Sequence, residues 1–368
     1  MREQETVSSG QMAVLFYVFM IGSSVIALPG PVIGFAKNGA WLSLILTAGF
    51  GTVLLYCTLY LYNKHPDLTF VEYSQKTVGT WVTAILVVPF LTVATESSMG
   101  IIQHMGIFLK TSMMRETPLY VFHAFIYITI AMTLRAGIEV MARLFFLLTV
   151  FMVLFILTVL LLATPEYHPA YMLPFLPQGF KPVLHGVYAT VGFPYAELIF
   201  FTMLLPFVRQ AEIGNLPKKM YVALWASTMS MVFVTVSTIM TFGPIAGERK
   251  YSVFEIARII EVQEIIQRIE SLIGISLILG SYMKATLSMY VLNIGLSRLL
   301  RLSDDRLLIF PLALIHMLAS IISVESDNKW VEIVHSVVPL WFFVGAVIPL
   351  LILTAVTVVK TSRRRNNS

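Results

Sequence analysis

Two stretches decide the fold: Ser23-Ser24-Val25-Ile26-Ala27-Leu28-Pro29-Gly30-Pro31 and Val191-Gly192-Phe193-Pro194-Tyr195-Ala196-Glu197. Each interrupts a long hydrophobic run in mid-span, and the two fall at matching places in successive five-helix halves. Proline removes a backbone donor and glycine loosens the helix, so carbonyl and amide groups are left free at membrane depth. Such groups are tolerated only where protein or a wet cavity satisfies them. Breaks paired across two repeats point to a small-ligand site of transporter type.

The surrounding composition places these breaks in a membrane. Of the 368 residues 57% are hydrophobic and only 12% charged, and the mean hydropathy is +0.82. Crossing a bilayer takes about 20 apolar residues. Ten runs satisfy this, at roughly 11–36, 39–62, 81–109, 118–134, 141–163, 182–206, 219–243, 269–298, 305–323 and 334–359. They are numbered spans 1 to 10 below. No soluble domain fits between them, so residues 1–368 read as a single transmembrane domain, repeat 1 covering about 11–163 and repeat 2 about 182–359.

The first apolar run contains Pro29 and Pro31 and lacks a small-x-small cleavage site, so it is expected to stay in the mature chain. The single cysteine, Cys57, lies within span 2 and reads as core filling. With the N-terminus inside, the inner loops and tails carry 15 lysines and arginines against 9 outside. This predicts both termini in the cytoplasm. The net charge of +5, concentrated in part at Arg363-Arg364-Arg365, then serves the lipid bilayer surface. No aromatic-basic interleaving suggests nucleic acid.

Four connections carry structure of their own. Leu68 to Gly79 is amphipathic and is expected to rest on the inner bilayer surface. In the outer loop between spans 7 and 8, Phe254, Ala257, Ile260 and Ile265 recur near helical spacing, while Glu255, Arg258, Glu261, Glu264 and Arg268 form a charged side. That predicts a helix over Tyr251 to Ile269, either lying on the lipid headgroups or covering a central cavity as a lid. Between spans 5 and 6, Pro169, Pro174, Pro177 and Pro182 predict an extended, stiff segment, and Asn38-Gly39 predicts a tight turn.

Glu96, Glu197 and Lys284 are charged in mid-membrane. Unpaired, each costs roughly 2.5–3.5 kcal/mol at a helix centre on insertion scales, so each should face the bundle interior or a wet cavity. They either build the polar centre or form a fixed ion pair that locks helices together. Glu197 lies beside the helix break, which favours the first role. In span 8, Ser281, Lys284 and Ser288 share one face. His104, His185 and His316 also fall within spans but lack metal-ligand spacing, and read as structural. There is no phosphate-binding glycine loop, nucleophile elbow or HExxH, so neither an enzyme nor a bound cofactor is expected.

Several of these residues, in this order, resemble a known family. The Gly22-Ser23-Ser24 to Leu28-Pro29 break, Glu96, Leu173-Pro174-Phe175-Leu176-Pro177-Gln178-Gly179-Phe180-Lys181-Pro182, Phe193-Pro194-Tyr195-Ala196-Glu197 and Arg268-Ile269-Glu270-Ser271 look like the spore germination receptor B-subunit family, over essentially the whole chain. That family belongs to the amino acid/polyamine/organocation superfamily. The resemblance implies an all-α integral membrane fold with five-plus-five inverted repeats and broken helices 1 and 6, similar to the leucine transporter. It implies a subunit that senses a nutrient germinant in the inner membrane of an endospore, beside an A subunit and a lipoprotein C subunit.

By the same resemblance the germinant pocket forms between spans 1, 3, 6 and 8, at positions matching Gly22, Thr92, Pro194, Lys284 and Ser288. Ser23, Ser24, Glu96, Phe193 and Glu197 complete the candidate ligand-binding set; Ser24 departs from the glycine-x-glycine of some relatives, so ligand identity does not transfer. Sodium-coupled relatives hold an ion between the span 1 break and span 8. Here Lys284 is expected to replace it, donating to carbonyls near Ser24 and Ala27 or pairing with Glu96. The rival reading is a stand-alone amino-acid permease with Glu96 or Lys284 as a proton-linked group.

Overall fold

The computed structural model describes residues 5–260, 268–323 and 333–366. In a bilayer only helices and closed barrels keep every backbone group bonded without water, and ten helical runs among the described residues are long and apolar enough to cross one. Span 1 is built of Ser9–Ile21, Ser24–Ala27 and Pro29–Ala36; span 2 is Ala40–Lys64, span 3 Thr80–Phe108, span 4 Leu119–Ala136 and span 5 Ile138–Leu162. Span 6 begins as Lys181–Thr190 and runs irregularly to Phe207; span 7 is Leu216–Phe242, span 8 Glu270–Leu299, span 9 Ile309–Ile322, and span 10 joins Val338–Phe342 to Ile348–Asn366. The fold is the leucine-transporter-like one, with spans 1 and 6 broken.

Spans 1, 3, 6 and 8 make the centre. Span 8 is buried along nearly its whole length, from Ile273 to Ser297. Rings on the first part of span 1 pack edge-on against the part of span 6 beyond its break, with Phe16 4.9 Å and Phe19 5.6 Å from Phe201, centroid to centroid. At the crossing of spans 1 and 8 the backbones touch. A Cβ on Gly22 would lie 2.9 Å from the Gly280 carbonyl oxygen, and one on Gly280 would lie 2.5 Å from that of Gly22. Only glycine at both positions permits that approach.

The face that carries the N-terminus is closed. The Val7 amide donates to the Phe207 carbonyl at 2.9 Å, and the Arg209 amide to the Val7 carbonyl at 3.0 Å. The Glu5 carboxylate accepts from the Ile138 amide at 2.8 Å and lies 3.4 Å from Arg306. Ser9 donates through both its amide and its hydroxyl to Glu212, at 2.9 and 2.7 Å. Spans 1, 5, 6, 7 and 9 thus meet through the first residues of the chain.

Several connections differ from expectation. The inner segment forms a helix, Phe70–Val78, capped by Thr69 and Glu72. It does not merely rest on lipid: Phe70, Val71, Tyr73 and Ser74 are buried, Tyr73 bonds to Thr357 of span 10 and Ser74 to Thr83 of span 3. Its apolar face is consumed by protein. The outer helix is shorter than the periodicity predicts, Ser252–Ile259. Glu261, Glu264 and Ile265 lie outside the described residues. Phe254 stands edge-on to Phe108 at 5.0 Å, and Val253, Ile256 and Ala257 are buried, so this helix is packed into the bundle, not laid on headgroups. The connection between spans 5 and 6 turns instead of extending, through Thr164–Glu166 and Pro169–Met172. Asn38 in the span 1–2 turn pins it by donating to the carbonyls of Tyr171 and Pro174 at 3.1 and 3.0 Å. Local hydrogen bonding outweighs the stiffness of spaced prolines.

Candidate functional site

The two breaks differ in kind and both serve the same point. Span 1 stops at Gly22, whose φ of 0° and ψ of −110° are not helical, and resumes at Ser24. The break therefore lies at Gly22-Ser23, at the head of the stretch that runs from there to Pro31, and not at its prolines. Leu28 keeps helical angles, and its neighbours bridge Pro29 by bonds from the Leu28 amide to Ser24 and from the Val32 amide to Leu28. A proline in the first turn of a helix costs little, since its amide has no partner there. In span 6 the helix fails at Phe193, with φ −116° and ψ 119°, before a cis bond to Pro194. The chain then tightens through Ala196–Phe200, which carries Glu197.

Lys284 of span 8 reaches into the gap between the breaks. Its Nζ lies 2.6 Å from Glu197 Oε2, and neither side chain is exposed at all. The same Nζ donates to Ser24 Oγ at 3.2 Å and sits 3.9 Å from the centre of the Phe193 ring and 5.1 Å from that of Phe19. Ser97 of span 3 donates to Glu197 Oε1 at 2.5 Å, and its oxygen lies 3.0 Å from Ser288 Oγ. One knot thus joins spans 1, 3, 6 and 8. An ammonium desolvated this far is stable only against an opposite charge, and the two aromatic faces add to that. Its partner is Glu197, not Glu96, and on span 1 it meets the Ser24 hydroxyl instead of the freed carbonyls. The zero-exposure pair leaves no net charge at the centre.

Beside the knot lies a cavity of about 270 Å³. Phe193, Ser97 and Glu197 line it near the breaks, Ser23, Ala27 and Leu28 from span 1, Glu96, Gly100 and His104 from span 3, and Val338 and Phe342 from span 10. Lys250, Ser323 and His335 line it at the face opposite the termini. Its size is near the lower limit of ordinary small-molecule sites, about 300–1,000 Å³. Two carboxylates line it, Glu197, paired with Lys284, and Glu96, which has no ion pair or hydrogen bond among the described residues. No group of three metal-ligating side chains occurs among the described residues.

The structure sorts the ten candidate residues. Ser23, Glu96, Phe193 and Glu197 line the cavity; Ser24, Lys284 and Ser288 stand behind it in the knot; Gly22 and Pro194 shape the two breaks. Thr92 does not join them. It is exposed and its hydroxyl donates to the Pro89 carbonyl of its own helix at 2.7 Å, a correction to the expected pocket. Ser281, on the stripe of span 8, is fully buried but takes no part in the knot. His316 bonds to its own helix at Leu312, as a structural histidine does, and His185 is exposed. His104 lines the cavity instead.

Sequence reasoning missed Ser97, which touches both Glu197 and Ser288. The available signal was its place beside Glu96 and its sharing of a helix face with Gly100 and His104, a small and polar stripe along an apolar helix. Val338 and Phe342 carried no signal, being apolar residues in an apolar span.

A family model described as spore germination protein matches residues 6–328. Spore germination protein KB of Bacillus subtilis (strain 168) is 25% identical over 344 residues, 92% of this chain and 91% of that protein. Spore germination protein YndE of the same strain is 22% identical over 354 residues, 94% and 95% of the two chains. Among solved structures, a Na⁺-coupled sialic acid symporter in a substrate-bound outward-open state superposes with a TM-score of 0.68 at 10% identity, over 94% of this chain and 82% of that one. A likeness this distant in sequence carries the fold alone, whereas the family model spans most of the chain, and on that match the chain belongs to the spore germination protein family.

Proposed function

We propose that this protein is the nutrient-sensing B-type subunit of a spore germination receptor, and that the cavity beside the Lys284–Glu197 knot receives the germinant. The chain is a germination-related, transporter-like membrane protein by family and fold; the sensing role is the further step. The observation that carries it is the position of the cavity. It ends against both helix breaks and against an ion pair that ties four spans together. A small ligand seated there touches the elements that move relative to one another in a bundle of this type. Occupancy shifts the bundle only insofar as the ligand binds one arrangement more tightly than the other.

In this reading residues 1–368 form one transporter-like unit with repeats at about 11–163 and 182–359, both termini face the cytoplasm, and the cavity faces outward in the inner membrane of the endospore. The moving spans report to A and C subunits. The ligand is a small nutrient such as an amino acid, in keeping with a volume of about 270 Å³. The ammonium of Lys284 occupies the place between the span 1 break and span 8 where sodium-coupled relatives hold an ion, and the response needs no sodium. The test is thermal-shift titration of the purified protein with amino acids, sugars and nucleosides, in sodium and in potassium buffers. One nutrient class should raise the midpoint equally in both. No shift with any class, or a shift only in sodium, would overturn the reading.

A second reading is favoured by Glu96, a cavity carboxylate without an ion pair or hydrogen bond among the described residues. Such a group suits a proton-linked amino-acid permease working alone. Uptake of a labelled amino acid into proteoliposomes under an imposed pH gradient, abolished by Glu96→Gln, would establish it. Binding without uptake leaves the receptor reading standing.

A further inference from the structure

A second, larger cavity lies away from the breaks. It is a groove of about 850 Å³ between spans 1, 5 and 7. One wall is the lipid-facing side of span 5, where Phe146, Val150 and Leu154 are each about half exposed. The other walls are Ala13, Val14 and Tyr17 of span 1 and Val222 and Ala223 of span 7. At the end where spans 1 and 7 begin, the lining changes character to Gly10, Asn215, Lys218 and Lys219. Along span 5 the lining runs from Phe146 to Leu157, eleven residues or about 17 Å at about 1.5 Å each. One leaflet of a hydrocarbon core about 30 Å thick has nearly that depth.

We propose that this groove seats one anionic phospholipid of the leaflet on the terminal face, an acyl chain lying along span 5 and the headgroup phosphate held by Lys218. An apolar channel with cations at one end only is complementary to an amphiphile with an anionic head. Lys218 is exposed and has no ion pair or hydrogen bond among the described residues. Lys219 donates to Ser9 Oγ at 2.7 Å, and Ser9 in turn donates to Glu212, so Lys219 contributes less free charge. The start of span 7, Leu216–Phe242, adds the positive end of its helix dipole. A soluble anion would gain from the lysines but leave the apolar length of the groove uncovered, which is why the occupant is a lipid. The proposal does not depend on which nutrient the central cavity takes.

Native mass spectrometry of the full-length protein in detergent tests it, with dioleoyl phosphatidylglycerol or dioleoyl phosphatidylcholine added at equal concentration. One phosphatidylglycerol should be retained in preference to phosphatidylcholine. Lys218→Gln should weaken its retention about fivefold, and Lys218→Gln with Lys219→Gln up to about 25-fold, at about a fivefold loss per lysine near an anionic headgroup. Lys64→Gln, at the end of span 2, should leave it unchanged. Val222→Trp, which narrows the groove from an exposed wall without touching the lysines, should also release the lipid while the protein remains monodisperse. Equal retention of the two lipids, or undiminished phosphatidylglycerol in the double lysine variant, overturns the proposal. So does an assembled receptor in which a partner subunit's helix fills the groove and no lipid is retained.

Discussion

The breaks in spans 1 and 6 look alike in sequence and are held open by different forces. At Gly22 the helix is interrupted for about two residues, and the gap is fixed by the contact of two glycine backbones, Gly22 against Gly280. At Phe193 the regular helix is lost from Val191 to Phe200, and that stretch is fixed by charge, through Glu197 on Lys284 and Ser97. Span 1 therefore supplies shape and span 6 supplies polarity. A steric break tolerates little added volume and is indifferent to charge; an electrostatic break is the reverse.

Removing the charge from one side should have the largest effect. Lys284→Met keeps the length of the side chain but strands Glu197 with no countercharge at zero exposure. Breaking a buried pair in this way costs about 3–5 kcal/mol. Thermal unfolding in detergent should show a large fall in midpoint, and the nutrient response should be lost. Pairing it with Glu197→Gln sharpens the comparison. The double variant carries no buried charge and should regain most of the stability while remaining unresponsive. A single variant as stable as the parent would mean that charge does not hold span 6 open.

Ser97→Ala comes next. It withdraws the 2.5 Å donor from Glu197 Oε1 and the link to Ser288 while leaving the ion pair in place. A hydrogen bond to a charged group contributes about 1.5–3 kcal/mol, so a loss in that range is expected by chemical denaturation or thermal shift. Ser97→Thr, which keeps the hydroxyl, should recover part of it. A steric test of the other break falls slightly below. Gly22→Ala places a methyl 2.9 Å from the Gly280 oxygen and 3.1 Å from Lys284 Cβ, an overpacking that costs about 1–3 kcal/mol. If shape alone governs span 1, Gly22→Ala should cost the same in the parent as in the Lys284→Met/Glu197→Gln background. Strong non-additivity there would show that the two breaks act as one.

What could be read from the sequence follows the same division. Both interruptions were legible because proline and glycine act on their own backbone, although the span 1 break fell at Gly22 and not at Pro29. The backbone conflict at Pro29 resolves within one turn, whereas Gly22 answers to a neighbour 258 positions along the chain. The stripe of Lys284 and Ser288 was legible from helical spacing. Its partner was not: Glu96 and Glu197 are both carboxylates at mid-depth, and spacing within one helix says nothing about the rotation of that helix against another. The burial of Phe70–Val78 was hidden for a similar reason, since an amphipathic face suits lipid and protein equally well until Tyr73 is seen to meet Thr357.

The smallest expected effect separates inherited position from local geometry. Thr92 matches a pocket position by resemblance, one helical turn before Glu96 on span 3, yet only Glu96 and residues beyond it reach the cavity. The Thr92 side chain is exposed and spends its hydroxyl on the Pro89 carbonyl of its own helix. Bonding of this kind, to a carbonyl three residues back in the same helix, is the ordinary local use of a threonine hydroxyl within a helix. Thr92→Ala should change stability by no more than about 0.5 kcal/mol, as exposed substitutions do. It should leave nutrient affinity unaltered, while Ser23→Val, which adds bulk and removes a hydroxyl at the cavity wall, should weaken it several-fold. Isothermal titration of both variants with the nutrient found by thermal shift decides between them. A loss of affinity in Thr92→Ala as large as that in Ser23→Val would mean that span 3 rotates on ligand binding and brings Thr92 inward, so that both breaks open onto a wider cavity than the one of about 270 Å³ seen here.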